Sequence, residues 1–451
     1  MNPGAGAGLG VDLIRLHPGV ARGSLRVPSS KSYTHRALLG ALLSPRPVMI
    51  QNPLDSEDTR VSRKMVEGLG GKVDTVELPG RTAWRVEPPP VVADRPCELD
   101  AGESGTSIRL FTCAAALGKS EVTFRGSDSL ARRPMVGLLR ALQDLGAKVH
   151  APPSGRSLPF TIRGPIQSGC VNIETSETSQ YLTGLLMTLP TLREPSEVRV
   201  TGPVVSRPYI EATLAYLKHE RIEVRTSEVG YVVPGQQQFA GLGFEVPGDA
   251  SSAAYLLTLA VTTRGDVTLT GIDAQWPQAD LAILEVLSEV ATPCIRGKEG
   301  GLRMSGADLT RIKPFDRDLD DNPDLGPLLA VLATFANGTS HLTGGGHLVS
   351  KESDRRRGMA TLVRALGGQL TESPSRFEIE GPPEANSLRL DNLSDHRMFM
   401  SAAVAAAGLP GPSILGPAGA AAKSYPGFLN DLKLLGIRSE PVSPENGRMG
   451  R

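Results

Sequence analysis

Hydrophobic and polar positions follow two rhythms along this chain, and the pair of rhythms returns six times. Each copy opens on a short extended apolar piece that runs into a turn. An Ala- and Leu-rich run at helical spacing follows. The copies read RVPSSKSYTHRALLGALL from Arg26, CELDAGESGTSIRLFTCAAAL from Cys97, VNIETSETSQYLTGLLMTL from Val171 and FEVPGDASSAAYLLTLAV from Phe244, then RDLDDNPDLGPLLAVLATF from Arg317 and LRLDNLSDHRMFMSAAVAA from Leu388. With Lys31, Ser104, Thr178, Asp249, Asp324 and Asp395 as anchors, successive copies lie 71 to 75 residues apart. Chance does not give six copies at so constant a step.

The filling between anchors repeats as well. A short strand closes on a turn in each copy (PVMIQN, EVTFRG, EVRVTG, DVTLTG, SHLTG, SILG), with Asn52, Gly126, Gly202, Gly271, Gly344 and Gly416 as turn residues. Gly and Asn suit a strand-end turn at positive φ. A second, amphipathic helix follows in each, and Pro134, Pro208, Pro277 and Pro426 stand where its first residue is expected. Several of these helices end in Leu-Gly before a new strand (LGGKV, LGAKV, LGGQL), a glycine C-cap. The unit is therefore β-α-β-α-β-β, which predicts α/β layers. Its period exceeds that of solenoid repeats, so each copy is a small folding unit.

At 451 residues the chain is too long for one hydrophobic core. Six units split into two sets of three. The Gly- and Gln-rich segment before Phe244 marks one crossing between domains and Pro28–Ser30 the other. The expected division is residues 29–244, holding units one to three, and residues 1–28 plus 245–451, holding units four to six with the N-terminal strand.

Charge is balanced, 48 basic against 48 acidic residues, so no global field attracts nucleic acid or an anionic membrane. Any anion must be held by a local cluster. Cys97, Cys113, Cys170 and Cys294 form no CxxC pair, which argues against a zinc site or a disulfide framework; each is expected to be a small buried residue in a reducing compartment. The N-terminal MNPGAGAGLG lacks the pattern of a secretory signal and reads as a frayed leader. No apolar run reaches the length of a membrane span. A cytoplasmic location is expected.

In every copy the polar cluster falls at a strand end or at the start of the first helix, where unsatisfied N–H groups favour anions. Cations gather at the same places: Lys31, Arg36, Arg109, Arg132, Arg133, Arg207, Lys351, Arg355 to Arg357, Arg397 and Lys423. Asp324, Glu352 and Asp395 supply acids. The pattern fits a cleft between domains that holds a polyanion and keeps carboxylates for proton transfer. Each position has a plainer reading. Thr178, Ser394, Asp395 and Asp249 suit helix caps, His35 and His396 suit core histidines, and Arg356 and Arg357 suit solvent. Recurrence at equivalent places of a repeat is what raises the cations above it.

VPSSKSYTHRALL, AGESGTSIR, ARRP, ETSQYLTGLLM, VSRPYI, VSKESDRRRGMA, DNPD and SDHRMFM resemble the enolpyruvyl transferase family, and most of all its branch acting on shikimate 3-phosphate. The match runs from about Gly23 to Phe428. It implies two domains of three units each, an inside-out α/β barrel with helices buried inside sheets, and an active site in the interdomain cleft. It implies an enzyme joining phosphoenolpyruvate to the 5-hydroxyl of shikimate 3-phosphate with release of phosphate, by addition and elimination through a tetrahedral intermediate. Such an enzyme stands in the shikimate pathway, needs no metal or cofactor, and is expected as a monomer.

Carried over by motif, phosphoenolpyruvate would meet Lys31, Glu103, Gly105, Arg133, Gln180, Arg355, Arg397 and Lys423. Shikimate 3-phosphate would meet Lys31, Ser32, Arg36, Thr178, Ser179, Gln180, Ser206, Tyr209, Asp324, His347 and Lys351. The catalytic set would be Lys31, Asp324 and Glu352, with roles exchangeable among the three. Glu103 and His347 depart from the residues common in the family, which leaves phosphate contact and acceptor identity open. Competing readings are a paralogue using another hydroxylated acceptor, the cell-wall transferase acting on UDP-N-acetylglucosamine (whose loop cysteine GSDSLARRP lacks), an RNA 3′-phosphate cyclase (whose C-terminal histidine is replaced by Lys423-Ser424-Tyr425), and a non-catalytic sugar-phosphate scaffold.

Overall fold

The computed structural model describes residues 12–152, 156–297 and 301–442; the stretch read as a frayed leader lies outside the described residues. Six four-stranded sheets are present, one per unit. In the second unit Cys97–Asp100 pairs in parallel with Val122–Arg125. The latter pairs antiparallel with Phe160–Arg163, whose other edge carries Lys148–His150. The helix Gly105–Ala115 makes the parallel crossover and Val136–Asp144 connects onward to the hairpin. This is the β-α-β-α-β-β unit of the repeat.

The two helix types differ because their sequences do. The first helices are apolar on every side and are sheathed on every side. Ala250–Thr262 and His396–Gly408 bury nearly every residue, as do Lys31–Leu42, Gly105–Ala115, Gln180–Thr188 and Gly326–Phe335. Small residues let them approach closely: a Cβ on Gly184 would come within 2.7 Å of Cys113 Sγ. The second helices bury one stripe, as Val136–Asp144 does with Leu138, Leu139, Ala141 and Leu142. The strands alternate buried and exposed positions, which puts the sheets outside and the first helices inside.

The apolar residues form two separate cores. One is built from Tyr33 to Val246, the other from Ile14 to Val27 together with Ala253 to Ile437. Two strands are exchanged between them. Arg22–Arg26, which leads into the helix Lys31–Leu42, pairs in parallel with Asp266–Thr270 of the fourth unit. Phe244–Glu245, which leads into Ala250–Thr262, pairs in parallel with Val48–Gln51 of the first. The crossing segments run side by side, with Ser30 N–H donating to Pro247 O at 2.7 Å and Asp249 N–H to Pro28 O at 2.8 Å. An aromatic cluster sits over them: Phe244 and Trp276 rings lie 4.9 Å apart edge-to-face, and Tyr33 donates to Pro277 O at 2.9 Å. The sixth sheet is completed by both ends of the chain, Ile14–Leu16 lying between Ser413–Leu415 and Ser439–Pro441.

Several local expectations need correction. Only Pro208 stands in the first turn of its helix. Pro134, Pro277 and Pro426 precede the N-cap residues Met135, Gln278 and Gly427, so they set the entry of the chain and not the first helical residue. Asn52, Gly202, Gly271 and Gly344 have positive φ as expected, whereas Gly126 and Gly416 do not. At Gly126 the need is space, since a Cβ would lie 2.9 Å from Leu130 Cδ2. Of the cysteines only Cys113 is buried; Cys97 and Cys294 are half-buried and Cys170 is exposed. No described helix is long and apolar enough to cross a membrane, and no group of His, Cys, Asp and Glu among the described residues is arranged to hold a metal.

Candidate active site

The starts of the first and second helices of both cores face one another across a cavity. From the first core Lys31, Ser32 and Arg36 enter it from the helix Lys31–Leu42, Gly105 and Gln180 from the next two helix starts, and Arg133 from the loop before Val136–Asp144. Thr178, Ser179, Ser206 and Tyr209 complete that side. From the second core come Asp324, Lys351, Glu352, Arg355 and Arg397. Three expected residues stand beside the cavity and do not line it: His347, buried in the turn Gly346–Ser350, and the pair Glu103 and Lys423.

Ionic contacts bind the wall together. Arg355, 1% exposed, pairs with Asp324 at 2.8 Å, Glu352 at 2.6 Å and Asp395 at 2.9 Å. Arg397 pairs with the other oxygen of Asp324 at 2.7 Å. Across the cores Arg133 lies 3.5 Å from Glu352, Tyr209 donates to Asp324 at 3.1 Å and Lys423 pairs with Glu103 at 2.9 Å. Burial works against ionising Asp324, but Arg397, Arg355 and Lys351 outweigh it and hold the carboxyl well below the usual range. Glu352 is likewise opposed by burial and held well below its range by Arg355, Arg133 and Lys423. Both carboxylates are ionised, and they are weak bases while these cations stand unneutralised beside them.

Three cations at the cavity, Arg36 and Lys351 in its lining and Arg109 behind it, have no carboxylate within ion-pair distance among the described residues. Buried Arg36 donates to Ser32 O at 2.9 Å, Tyr209 O at 2.8 Å and Thr213 Oγ1 at 3.1 Å. Buried Arg109 donates to Gln180 Oε1 at 2.7 Å and Pro134 O at 3.0 Å. Burial pushes both guanidinium groups down to about 10. Lys351 is pushed by burial down to about 8. A wall with surplus buried positive charge is built to receive anions, because the ligand supplies the missing countercharge in a low dielectric.

Gln180 is oriented from both ends, by Arg109 on its oxygen and through its own donation to Thr106 Oγ1 at 2.9 Å. Ser206 holds a left-handed backbone, φ 57°, unusual for a non-glycine, while its N–H reaches Asp320 O at 2.9 Å in the other core. Asp249 acts as the cap it was read to be, accepting from Ser252 N–H, whereas Thr178 stands before the N-cap residue Ser179 and its Oγ1 accepts from Gln180 N–H; both line the cavity. Asp395 caps its helix and anchors Arg355. His35 is a core residue bonded to Ser62 at 2.7 Å. His396 lines the cavity with neither nitrogen partnered, and burial pushes it down to about 3, so it is neutral. Arg356 covers the Phe377 ring away from the site, and Arg357 is exposed.

Sequence reasoning missed Asp58, which lines the cavity and pairs with Lys31 at 3.0 Å, and buried Asp280, which accepts from Ser251 Oγ and lies 3.9 Å from Arg397. Burial pushes the Asp280 carboxyl up to about 7. A signal for such positions was present. Counting six residues past Asn52 reaches Asp58, and seven past the other turn glycines reaches Arg133, Tyr209, Gln278, Lys351 and Lys423. The repeat therefore places a polar residue at one recurring site in or just before each second helix.

A family profile described as EPSP synthase (3-phosphoshikimate 1-carboxyvinyltransferase) matches residues 17–432. The chain belongs to the EPSP synthase family. Among its relatives, proteins named 3-phosphoshikimate 1-carboxyvinyltransferase are 36% identical in Thermococcus kodakarensis, over 92% of this chain and 97% of that one, and 34% identical in Methanocorpusculum labreanum, over 92% and 96%. The fold matches EPSP synthase from Acinetobacter baumannii with a TM-score of 0.76 at 22% identity, covering 96% of this chain and all of that one. It matches the enolpyruvyl transferase NikO from Streptomyces tendae with a TM-score of 0.75 at 16% identity, with the same coverage. The EPSP synthase fold thus carries this cavity, and no cysteine lines it, unlike the loop cysteine expected of the cell-wall transferase.

Proposed function

We propose that the chain is a 3-phosphoshikimate 1-carboxyvinyltransferase, moving the enolpyruvyl group of phosphoenolpyruvate to the 5-hydroxyl of shikimate 3-phosphate. The observation that carries this is the cavity itself, where Arg36 and Lys351 lack carboxylate partners, buried Arg109 stands behind Gln180, and two ionised carboxylates face them. Two anionic substrates neutralise such a wall, and holding them together removes much of the barrier to reaction.

Lys31, Arg133, Arg355 and Arg397 would grip phosphoenolpyruvate, with Gln180, the Gly105 backbone and, from beside the cavity, Lys423. Ser32, Arg36, Thr178, Ser179, Ser206, Tyr209 and Lys351 would hold shikimate 3-phosphate, with His347 behind them. Asp324 takes the proton of the 5-hydroxyl as its oxygen bonds to C2, while C3 gains a proton and becomes a methyl group. In the second half Glu352, ionised by its arginines, removes a proton from C3 as the C2–O bond to phosphate breaks. Lys31 donates the proton that C3 gains in the first half and regains one from solvent, which also protonates the leaving phosphate.

The two cores would be two domains, 29–244 and 1–28 plus 245–451, hinged at the paired crossings. One chain builds the whole cavity, which fits a monomer. Four unpaired cysteines fit the reducing cytoplasm. Side chains carry the chemistry without metal or organic cofactor.

A phosphate-release assay tests the proposal. Release should require phosphoenolpyruvate and shikimate 3-phosphate together, exceed that with other hydroxylated acceptors, and fall by roughly 10²-fold or more in Glu352→Gln. Release with another acceptor only would move the protein to a different substrate. Binding of both ligands without release would make it a scaffold.

A further inference from the structure

Glu103 stands two residues before Gly105 and faces Lys423, which comes from the other core 320 positions away. Lys423 is nearly buried, 4% exposed, and the Glu103 carboxylate at 2.9 Å is its hydrogen-bond partner among the described residues. Its ammonium also lowers the carboxyls of Asp58 and Glu352, both of which line the cavity, so the charge acts inside the anion site although the side chain is turned to its edge. The main chain of Glu103 is engaged too: its carbonyl accepts from Arg133 Nη1 at 3.4 Å. One residue therefore holds a cation of each core, Arg133 through its backbone and Lys423 through its side chain. Glu103 itself is half-exposed, 52% at the side chain, so water can take over its carboxylate when Lys423 leaves it.

We propose that Glu103 is a built-in competitor for phosphoenolpyruvate: its carboxylate holds the Lys423 ammonium across the junction of the cores, and the incoming anion must take that ammonium from it. The inference rests on the reading of this cavity as the phosphoenolpyruvate site, and it adds a residue that sets affinity for that substrate and not for the acceptor. A negative charge at this place weakens anion binding twice, by repelling the ligand and by occupying its cation.

The test compares wild type with Glu103→Gln, which keeps the length and removes the charge, and with Glu103→Asn, a second neutral side chain. Calorimetric titration with phosphoenolpyruvate alone reads binding without turnover, and steady-state KM values for both substrates read it during turnover. Both variants should bind phosphoenolpyruvate about three- to tenfold more tightly than wild type. KM for phosphoenolpyruvate should fall in step while KM for shikimate 3-phosphate stays within about twofold. Equal or weaker phosphoenolpyruvate binding in either variant overturns the proposal. If wild type releases no phosphate, the functional reading fails, while the titration ratio still decides the role of Glu103.

Discussion

Lys351 carries its charge at the edge of the assayable range, because burial pushes it down to about 8 and no carboxylate pairs with it among the described residues. Its positive form is complete below that value and lost as pH rises through it. Phosphate binding should follow: kcat/KM for shikimate 3-phosphate falls above about pH 8, and Lys351→Arg, which stays protonated, moves that fall to higher pH. An unmoved fall in the variant would assign it to another group. Gly105 offers a second test. A Cβ there would lie 2.6 Å from Arg133 Cζ, and the end of that long side chain can yield where backbone cannot. Gly105→Ala should therefore keep the fold and displace Arg133, raising KM for phosphoenolpyruvate about tenfold with KM for shikimate 3-phosphate little changed. Equal rises in both would point to general damage. At this scale the sequence was legible where motif and repeat coincided, as at Lys31, Arg133 and Lys351. It was silent at Asp280, which no motif marks; the repeat does mark Asp58, but not its pairing with Lys31 from another helix.

The helix His396–Gly408 shows how one side chain serves an element and the site together. Asp395 accepts from Arg397 N–H at 2.9 Å as the cap, and from Arg355 Nε at 2.9 Å and Ser353 Oγ at 3.0 Å. Burial opposes its ionisation, but Arg355 prevails and its carboxyl lies below the usual range. Asp395→Ala removes cap and countercharge at once and should cost about 3 kcal/mol of stability at pH 7; Asp395→Asn keeps a capping oxygen and should cost less. A depressed carboxyl stabilises fully above its unfolded value near pH 4 and loses that contribution as pH falls below it. The difference between wild type and Asp395→Asn in urea denaturation should hence shrink between pH 7 and pH 3. A constant difference would remove charge from the explanation. Element types followed from hydrophobic spacing, since all-apolar runs became sheathed helices and amphipathic runs became outer ones. Exact starts did not, because Pro134, Pro277 and Pro426 serve the loops that enter the helices and local propensity cannot tell entry from first turn.

At the scale of the molecule, repetition explains both the sixfold architecture and the single cavity. Six like units put six sets of helix starts at equivalent places, and two cores bring those sets face to face. The repeat count and the crossings near Pro28 and Phe244 could be read from spacing and composition. The sheet partners of Arg22–Arg26 and Phe244–Glu245 could not, because a strand's sequence records its alternation and not its partner. Nor could the closure of the sixth sheet by both chain ends, where pairs lie 397 or more residues apart. The surplus of cations over the cavity carboxylates is likewise a property of the assembled pair of cores.

Running the reaction in D2O with shikimate 3-phosphate and phosphoenolpyruvate, followed by proton and phosphorus NMR, tests the central claim most directly. If Asp324, Glu352 and Lys31 conduct addition and elimination through a C3 methyl, inorganic phosphate appears together with an enolpyruvyl ether whose vinyl CH2 carries deuterium. An ether formed with both vinyl protons fully retained, or no ether at all, contradicts it.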